Sequence, residues 1–384
     1  MTSCPNNLPY FKIKPSEKEL ILVKFLRRKF FPRIKEKIPN HYLIQSALFK
    51  NLQTIKKLSN RYPYFLRLDI SLYYPSINHK ILLKKLSEIY KSMSHKTLSR
   101  RLKQCIKNDI PAFLQKSPYK KGLPIGFSLS HVLAGIFLLD LDFKIKNPFL
   151  RYNDDYLIFC KNKQESELIL KNIVIPTLNG LNLEINHRKL KSGRFHNDKV
   201  NFIGFEYFAG SFHIQNEKLE NFKSKISKMT GLNKKKSQIE IIKSLNNKIL
   251  GFGHYYKLAS ATSMFKDLDS FIRMRLRRYL LKQKQLKPEQ GNLILTNEVL
   301  KNLGLKSLQV IKERFDKNSR RKIKNFSKIK AKTGKMKKML NWPHLSVLEE
   351  KYKINYLISQ IKELTSLVRL LNKKVTIIDK KLNK

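Results

Sequence analysis

An apolar, aromatic segment with two adjacent aspartates at its centre constrains the fold of this chain more than any other feature. The segment, FLRYNDDYLIF, covers residues 149–159. Its flanks predict two short strands, and Asp154 and Asp155 are predicted to form the tight turn between them. Adjacent carboxylates repel each other and are costly among apolar neighbours, which favours a bound cation. A solvated Asp-Asp turn is the alternative, and the segment alone does not decide between the two.

The charge of the chain indicates its partner. Lys and Arg total 80 against 28 Asp and Glu, which gives a net charge of +52. Such a chain repels itself unless a polyanion neutralises it, so we expect a nucleic-acid partner. A basic membrane-surface protein and a ribosome-associated protein are the alternatives.

The apolar and cysteine patterns indicate the compartment. No run of 18 apolar residues is present, so we expect no membrane span and no membrane partner. The three cysteines are scattered and form neither a disulfide framework nor a zinc spacing, which indicates a reducing, cytoplasmic location. Cys160 ends an apolar strand and is expected in the core.

Four further segments occur in a fixed order around the Asp pair. They are FLRLDISLYYPSI (65–77), GLPIGFSLS (122–130), LEINHRK (183–189) and NFIGFEY (201–207). In this order they resemble the palm of reverse transcriptases, over roughly residues 40–285. The segments GFGHYY (251–256) and LDSFIRMRLRRY (268–279) resemble the helical thumb of the bacterial group II intron-like lineage.

The resemblance implies an α+β fold, a right-hand polymerase with a palm sheet, reduced fingers, a helical basic thumb and a C-terminal coiled-coil-like helix. The predicted domains are N-terminal or reduced fingers (1–63), palm (64–213, with a finger-like helical insertion at about 78–120), basic thumb (214–345) and heptad helix (346–384). The fingers hairpin that relatives place over the incoming nucleotide has no clear counterpart, and the bases of residues 24–29 are the candidates for triphosphate contact.

The same resemblance implies two-metal nucleotidyl transfer. Two Mg²⁺ ions are expected, with Mn²⁺ as an alternative, together with dNTPs, an RNA template and a DNA product. Asp69 and Asp154 correspond to the ligands shared by both ions, and Asp155 to the less direct one. The carbonyl of Ile70 corresponds to the backbone ligand of the family.

Tyr74 and Lys189 match nucleotide-binding positions of the family. The ring of Tyr74 corresponds to the aromatic group that blocks a ribose 2′-hydroxyl. Its neighbour Tyr73 is predicted to face the opposite side of an extended segment, in the core. Lys189 corresponds to a lysine near the pyrophosphate, a candidate general acid. The alternative for Lys189 is one more solvated base among 80 Lys and Arg residues.

The segment from Gly122 to Ser130 resembles the second palm motif. Gly126, with Gly122, is expected to let the backbone approach the template and the incoming nucleotide. Ser130 is expected to cap or line the following helix. Ile125 stands where most relatives have Gln. Diversity-generating reverse transcriptases also carry an aliphatic residue at this position and copy adenines inaccurately, so reduced fidelity is a hypothesis. His131 replaces a Pro and is expected to be structural.

Four more residues are predicted to bind nucleic acid. Gly204 lies in a segment that resembles the primer-grip hairpin, where close approach to the primer is expected. Arg273 and Arg277 are one helical turn apart and, with Arg278, are predicted to contact a duplex backbone.

Local patterns predict the remaining elements. Strands are predicted at 64–70, 181–185 and 200–213. Helices are predicted at 17–33, 42–57, 78–120 (with loops at 108–111 and 116–118), 129–141 and 163–179, and throughout the chain after 214. The basic face of helix 17–33 is expected either to face nucleic acid or to be merely solvated.

The C-terminal third combines a basic block with a heptad seam. Residues 301–340 hold 15 Lys or Arg and two acids, which favours contact with RNA or DNA. Apolar residues then follow a 3-4 spacing: Ile354, Leu357, Ile361, Leu364, Val368, Leu371, Val375 and Ile378. This seam predicts a homo-oligomer or partner-protein contact, with docking on the thumb as the alternative.

Three functions are compatible with these motifs. The first is an RNA-directed DNA polymerase, copying a dedicated noncoding RNA in anti-phage defence as compact relatives do. The second is a template-independent or protein-primed DNA polymerase. The third is a non-catalytic RNA-binding maturase or scaffold.

Overall fold

The computed structural model describes most of the chain between residues 48 and 318. The described residues are 17, 20, 23–24, 41–43, 48–91, 103–117, 121–124, 127–231, 237–285, 287 and 291–318; for 41–43, 48–50, 90 and 292 it describes the backbone alone. The chain divides into two compact units, Met1–Lys312 and Glu313–Lys384. The heptad seam, Ile125, Gly126 and most of helix 17–33 lie outside the described residues.

Two sheets form the β part of the first unit. The strands are β1 (His41–Leu43), β2 (Tyr64–Leu68), β3 (Phe149–Tyr152), β4 (Asp155–Cys160), β5 (Lys191–Arg194), β6 (Val200–Phe202), β7 (Phe205–Phe208) and β8 (Ser211–Ile214). The larger sheet has the order β1-β3-β4-β2-β5, in which β1 is parallel to β3 and the other pairs are antiparallel. The smaller sheet is the antiparallel meander β6-β7-β8.

Helices surround these sheets. They are α1 (Leu48–Arg61), α2 (Tyr73–Ser76), α3 (His79–Lys91), α4 (Ile110–Leu114), α5 (Ser128–Phe137), α6 (Leu139–Lys144), α7 (Lys163–Ile169), α8 (Ile175–Gly180), α9 (Asn216–Met229), α10 (Gln238–Tyr256), α11 (Thr262–Gln283), α12 (Gly291–Ile294) and α13 (Asn297–Asn302). Two π-helical turns, Cys105–Asp109 and Leu170–Val174, precede α4 and α8. Mixed helices and antiparallel sheets confirm the α+β prediction.

The larger sheet separates two hydrophobic clusters because its strands alternate. Leu66, Leu68 and Ile158 point to the cluster that contains the buried residues of α3, α5 and α6. Phe65 and Leu157 point to the other cluster, which contains the smaller sheet, α10 and α11. Cys160 is fully buried, as predicted.

The strand predictions need correction at two places. Residues 181–185 alternate buried and exposed like a strand, but they make only one bridge, Ile70 to Ile185. Lys191–Arg194, by contrast, forms β5 although its sequence, KSGR, has no apolar alternation. An edge strand that is largely exposed needs no apolar pattern to pair with its neighbour.

Three helix predictions also need correction. Residues 42–43 belong to β1, and the following helix continues to Arg61. The helix predicted at 129–141 is broken at Leu138, whose backbone (φ −91°, ψ 5°) is not helical, and apolar composition does not reveal such a bend. The predicted loop at 108–111 is helical, because Pro111 takes an early helix position that needs no N–H donor.

Candidate active site

The β3–β4 hairpin brings the paired aspartates to the edge of the site, but only one of them lies in the turn. Tyr152 pairs with Asp155, so the two-residue turn consists of Asn153 and Asp154. Asn153 adopts a left-handed backbone (φ 56°), a conformation that Asn tolerates well. The prediction that both aspartates form the turn is therefore wrong, because Asp155 already pairs as the first residue of β4.

Asp69 reaches the same place from the end of β2. Leu68 pairs with Tyr156 in the β2–β4 register. Continuing that register by one residue puts Asp69 beside Asp155 on one face of the sheet. Arg67 lies on that face too, since side chains two residues apart point the same way.

The pKa shifts of the carboxyl groups show that the three acids are close enough to interact. Burial, followed by the charge of Asp69, raises the pKa of Asp154 to about 6. Burial raises the pKa of Asp155 to about 6 as well, with Arg67 opposing the shift and Asp69 and Asp154 adding to it. Asp69 itself is only 8% exposed. Asp69 thus meets the adjacent pair Asp154 and Asp155, which lies 85 positions or more along the sequence, in a partly desolvated place.

Two of these acids pair with bases. The Nζ of Lys189 lies 3.0 Å from Oδ2 of Asp69, and Nδ2 of Asn186 lies 3.4 Å from its Oδ1. Arg67 donates to both oxygens of Asp155, at 3.2 and 3.3 Å. Lys189, predicted near the pyrophosphate, thus lies against Asp69, although half of its side chain is exposed (51%).

A buried polar cluster that sequence reasoning missed supports the hairpin turn. Arg151 forms an ion pair with Asp142 at 2.5 Å, and the Tyr156 hydroxyl donates to the same carboxylate at 2.7 Å. Arg151 also donates to the carbonyl of Asn153 at 3.1 Å, inside the turn. An arginine within an otherwise apolar strand was the available signal, because a buried base needs a buried partner.

The donor set fits a divalent ion in part. Within the described ranges, no group of three or more His, Cys, Asp or Glu side chains is arranged to hold a metal. Asp69 and Asp154 supply two interacting carboxylates. The bridge beside them uses the Asp69 carbonyl and the Ser71 N–H, which leaves the Ile70 carbonyl out of that pairing. Both oxygens of Asp155 accept hydrogen bonds from Arg67.

Tyr74 lies beside this acidic site. Burial, followed by the charge of Asp154, raises its pKa to about 12, and its hydroxyl lies 3.2 Å from Nδ1 of His131. His131, predicted to be structural, therefore contacts a candidate site residue. Tyr73 is buried and donates to the Ala134 carbonyl at 2.5 Å. Its core position is as predicted, but the segment is helical (α2) rather than extended.

Gly122 packs against the chain itself. Its φ is +79°, and a Cβ there would lie 2.7 Å from the Pro75 carbonyl oxygen. Its N–H donates to the Ile77 carbonyl at 2.8 Å. Ser130 donates to the Pro124 carbonyl at 2.5 Å from inside α5, which begins at Ser128, so it does not cap the helix.

A polar cavity of about 380 Å³ opens beside the chain that follows Asp69. Ser71 and Leu72 form one wall, and Lys121 and Glu184 contribute opposite charges. Leu72 is 69% exposed and has a left-handed backbone (φ 44°), which is uncommon for a leucine.

Gly204 lies at the tip of the β6–β7 hairpin. Ile203 (φ 45°) and Gly204 (φ +79°) form its two-residue turn, and a left-handed backbone is strained for the β-branched Ile203. Tyr255 of α10 donates to the Ile203 carbonyl at 2.8 Å. Burial, with a smaller effect of Tyr152, raises the pKa of Tyr255.

The predicted arginine row of α11 is divided in the structure. Arg277 donates to the Leu295 carbonyl and to Oδ1 of Asn297, both at 2.7 Å. Arg273 donates to Ser270 at 2.9 Å and remains half-buried. Arg278 is exposed. Arg278, and Arg273 in part, are thus exposed to solvent, whereas Arg277 bonds the segment between α12 and α13 and the start of α13.

None of the helices in the described ranges combines the length and apolar character needed to cross a bilayer.

The chain is similar to solved telomerase structures at low identity. Apo telomerase from Candida tropicalis is 14% identical, with 74% of this chain and 50% of that chain covered and a TM-score of 0.39. Telomerase from Candida albicans in complex with a fragment of telomeric RNA is 12% identical, with 73% and 56% covered and a TM-score of 0.37.

The chain spans about half the length of these telomerases. No protein of curated function matches it. Two family models do match: reverse transcriptase (RNA-dependent DNA polymerase) over residues 14–207, just over half of the chain, and the group II intron maturase-specific domain over residues 219–293. The chain therefore belongs to the reverse transcriptase family of RNA-dependent DNA polymerases, in its group II intron-like lineage.

Proposed function

We propose that this protein copies an RNA template into DNA with dNTPs, using Asp69 and Asp154 as its metal-binding carboxylates. The observation that carries the proposal is the convergence of these two acids, 85 positions apart in sequence, beside Tyr74 at the turn of the β3–β4 hairpin. The family match supports the reaction type, and the charge of +52 supports a polyanionic substrate.

Each residue has a distinct part in this proposal. Asp69, Asp154 and the Ile70 carbonyl would hold two Mg²⁺ ions, with Mn²⁺ as an alternative. When bound, such ions lower the pKa of a primer hydroxyl and neutralise charge on the phosphates. Lys189 lies against Asp69 and is the candidate proton donor to the leaving pyrophosphate. Tyr74 would exclude the 2′-hydroxyl of a ribonucleotide by steric contact.

Primer extension with purified protein tests the proposal. We expect a primer annealed to RNA to be extended with dNTPs and Mg²⁺, and Asp154→Asn to abolish the extension. Asp109→Asn, which makes the same change at an exposed position of a π-helical turn, serves as the matched control and should extend normally. Equal extension by Asp154→Asn and the wild type would contradict the proposed site.

Two further outcomes would indicate the alternative functions. DNA synthesis that continues without RNA, with a product sequence unrelated to any added strand, would indicate a template-independent or protein-primed polymerase. A biological activity that survives Asp154→Asn would indicate a non-catalytic maturase or scaffold. The maturase-specific match over residues 219–293 supports RNA binding under either outcome.

The biological setting is a further part of the proposal. Copying of a dedicated noncoding RNA in anti-phage defence, in the cytoplasm, is supported by the family resemblance alone. Sequencing the RNA that co-purifies with the protein tests it: one enriched RNA species supports a dedicated template, and bulk cellular RNA contradicts it.

Self-association through residues 346–384 is likewise proposed, on the heptad seam. Light scattering of the full chain and of a Leu364→Asp, Leu371→Asp variant tests it. The wild type should be larger than a monomer and the variant monomeric. A monomeric wild type would leave a partner protein as the occupant of the seam.

A further inference from the structure

We propose that Arg67 is a positioning residue that keeps Asp155 out of the metal-ligand set, so that the site works with two carboxylates rather than three. The proposal rests on the proposed function for the role of Asp69 and Asp154. Arg67 lies on β2, two residues before Asp69 and within the same palm segment (65–77), but it is not among the predicted metal ligands.

The contact between Arg67 and Asp155 is bidentate and largely buried. Nε of Arg67 lies 3.2 Å from Oδ1 of Asp155 and its terminal nitrogen lies 3.3 Å from Oδ2, and the side chains are 16% and 17% exposed. A guanidinium bound to both oxygens leaves a carboxylate little capacity for a metal ion. Within the described ranges, no basic side chain forms an ion pair with Asp154.

The β2–β4 register explains why this base reaches this acid. Arg67 pairs with Leu157, so Asp155 is its diagonal neighbour on the same face, within reach of a long side chain. Lys191 is the partner of Arg67 on β5, but its Nζ donates to the Lys199 carbonyl and is directed away. Arg67 is therefore the base directed at the start of β4.

The pairing of Asp69 with Lys189 differs in kind. Lys189 makes a single contact to one oxygen of Asp69, at 3.0 Å, and its side chain is 51% exposed. A divalent ion can replace such a contact at small cost, whereas it would have to break two sheltered contacts to reach Asp155. The structure therefore assigns Asp69 and Asp154 to the ion, and Asp155 to the anchoring of the hairpin.

Binding of Mn²⁺ to the full-length chain, measured by calorimetry, tests this assignment without requiring activity. We expect Asp154→Asn to weaken binding at least about tenfold. Asp155→Asn should change it by less than about threefold. Equal losses in these two isosteric variants would show that Asp155 is a ligand and would overturn the proposal.

Removal of Arg67 provides the second arm. Arg67→Leu should tighten Mn²⁺ binding, because it releases Asp155, and should slow primer extension about 10–100-fold at an unchanged KM for dNTP. Arg67→Lys should lie between this variant and the wild type. The double variant Arg67→Leu, Asp155→Asn should return Mn²⁺ binding to the wild-type value. A merely structural role would lower binding and rate together.

Arg188→Leu is the matched control, since it removes one positive charge at an exposed position next to Lys189. An equal gain in Mn²⁺ affinity in Arg188→Leu and Arg67→Leu would overturn the proposal, because only charge would then matter. Binding that depends on Asp154 but not on Arg67 overturns this proposal alone. A wild-type chain that binds no Mn²⁺ and extends no primer overturns the proposed function as well.

Discussion

The acidic site of the palm and the arginine row of α11 use their charges in different ways. In the palm, charged side chains from distant segments pair in partly desolvated places: Lys189 meets Asp69 across 120 positions, and Arg67 meets Asp155 across 88. On α11, Arg277 supports its own region and Arg278 remains exposed. The number of arginines in a helical row therefore overstates how many can contact a ligand. Carboxylates that converge in a partly buried place cost free energy, so their convergence is the stronger indication of a functional site.

Loss of Asp69 or Asp154 tests the palm side of this comparison with the largest expected effect. Asp69→Asn and Asp154→Asn should each reduce primer extension at least about 10³-fold, or about 4 kcal/mol of transition-state stabilisation. The measurement is single-turnover extension on an RNA template. A loss below tenfold in either variant would mean that the convergence of the acids is not catalytic.

Tyr74 tests whether the palm site also selects the sugar. Tyr74→Ala should raise the incorporation of ribonucleotides relative to deoxyribonucleotides by about tenfold or more, because a steric barrier disappears. Competition between rNTPs and dNTPs in the extension assay measures this ratio. Tyr73→Phe, which retains the buried ring, is the control, and unchanged discrimination in Tyr74→Ala would remove Tyr74 from this role.

Two arginines of α11 test the second region of the comparison, the arginine row. Arg277→Ala should lower the free energy of unfolding by about 2 kcal/mol, because it leaves the Leu295 carbonyl and Asn297 without their charged donor. Arg278→Ala should change stability by less than about 0.5 kcal/mol but should weaken nucleic-acid binding and lower its salt dependence. Urea unfolding and salt-dependent binding measure the two effects. The reverse pattern would show that Arg277 is the one that contacts nucleic acid.

The pH dependence of stability tests the raised carboxyl pKa values. Asp154 and Asp155 bind protons more tightly in the folded chain (pKa about 6) than unfolded (3.8). Their contribution to stability is therefore full below about pH 4 and is lost as the pH rises through about 6. Without divalent ions, Asp154→Asn should be more stable than wild type at pH 7.5, by about 1–2 kcal/mol, and less distinguishable at pH 4.5. A pH-independent difference in Tm would contradict the shift.

Tyr255 offers the smallest test, at the contact between α10 and the β6–β7 hairpin. Tyr255→Phe removes its bond to the Ile203 carbonyl and should cost about 0.5–1.5 kcal/mol of stability. If the hairpin positions the primer, the KM for primer should rise while the KM for dNTP stays constant. Tyr207→Phe, which removes a buried hydroxyl contact with Ser59 elsewhere on the same small sheet, controls for loss of stability alone.

The sequence predicted the palm well where its patterns are local. The β3–β4 hairpin, the strand that precedes Asp69 and the core position of Cys160 follow from apolar runs and turn residues. The edge strand β5 was missed because exposed residues carry no apolar signal. The bend at Leu138 was missed because buried helices on either side of a bend have the same composition.

The candidate site residues likewise divide into those that local sequence motifs indicate and those that only long-range contacts reveal. Asp69, Asp154, Asp155, Tyr74 and Lys189 could be predicted as site residues because they occur in ordered segments that resemble a family. Arg67, Arg151 and Asp142 were not found, because nothing in their neighbours in sequence indicates their partners across strands. The arginine row was predicted as one surface, since spacing along a helix does not show that Arg277 faces α12 and α13.

The amino-acid sequence by itself determined the class of this protein: most of its strands and helices, the acids at the strand ends, and a net charge of +52. These depend on local propensity, alternation and total charge, which are independent of long-range geometry. Only the tertiary structure decided which charges pair. Asp155 pairs with Arg67 and Asp69 with Lys189 because the β2–β4 register and the turn after Ile185 bring the paired atoms to 3.0–3.3 Å. Burial strengthens the first pairing more than the second, since half of the Lys189 side chain is exposed.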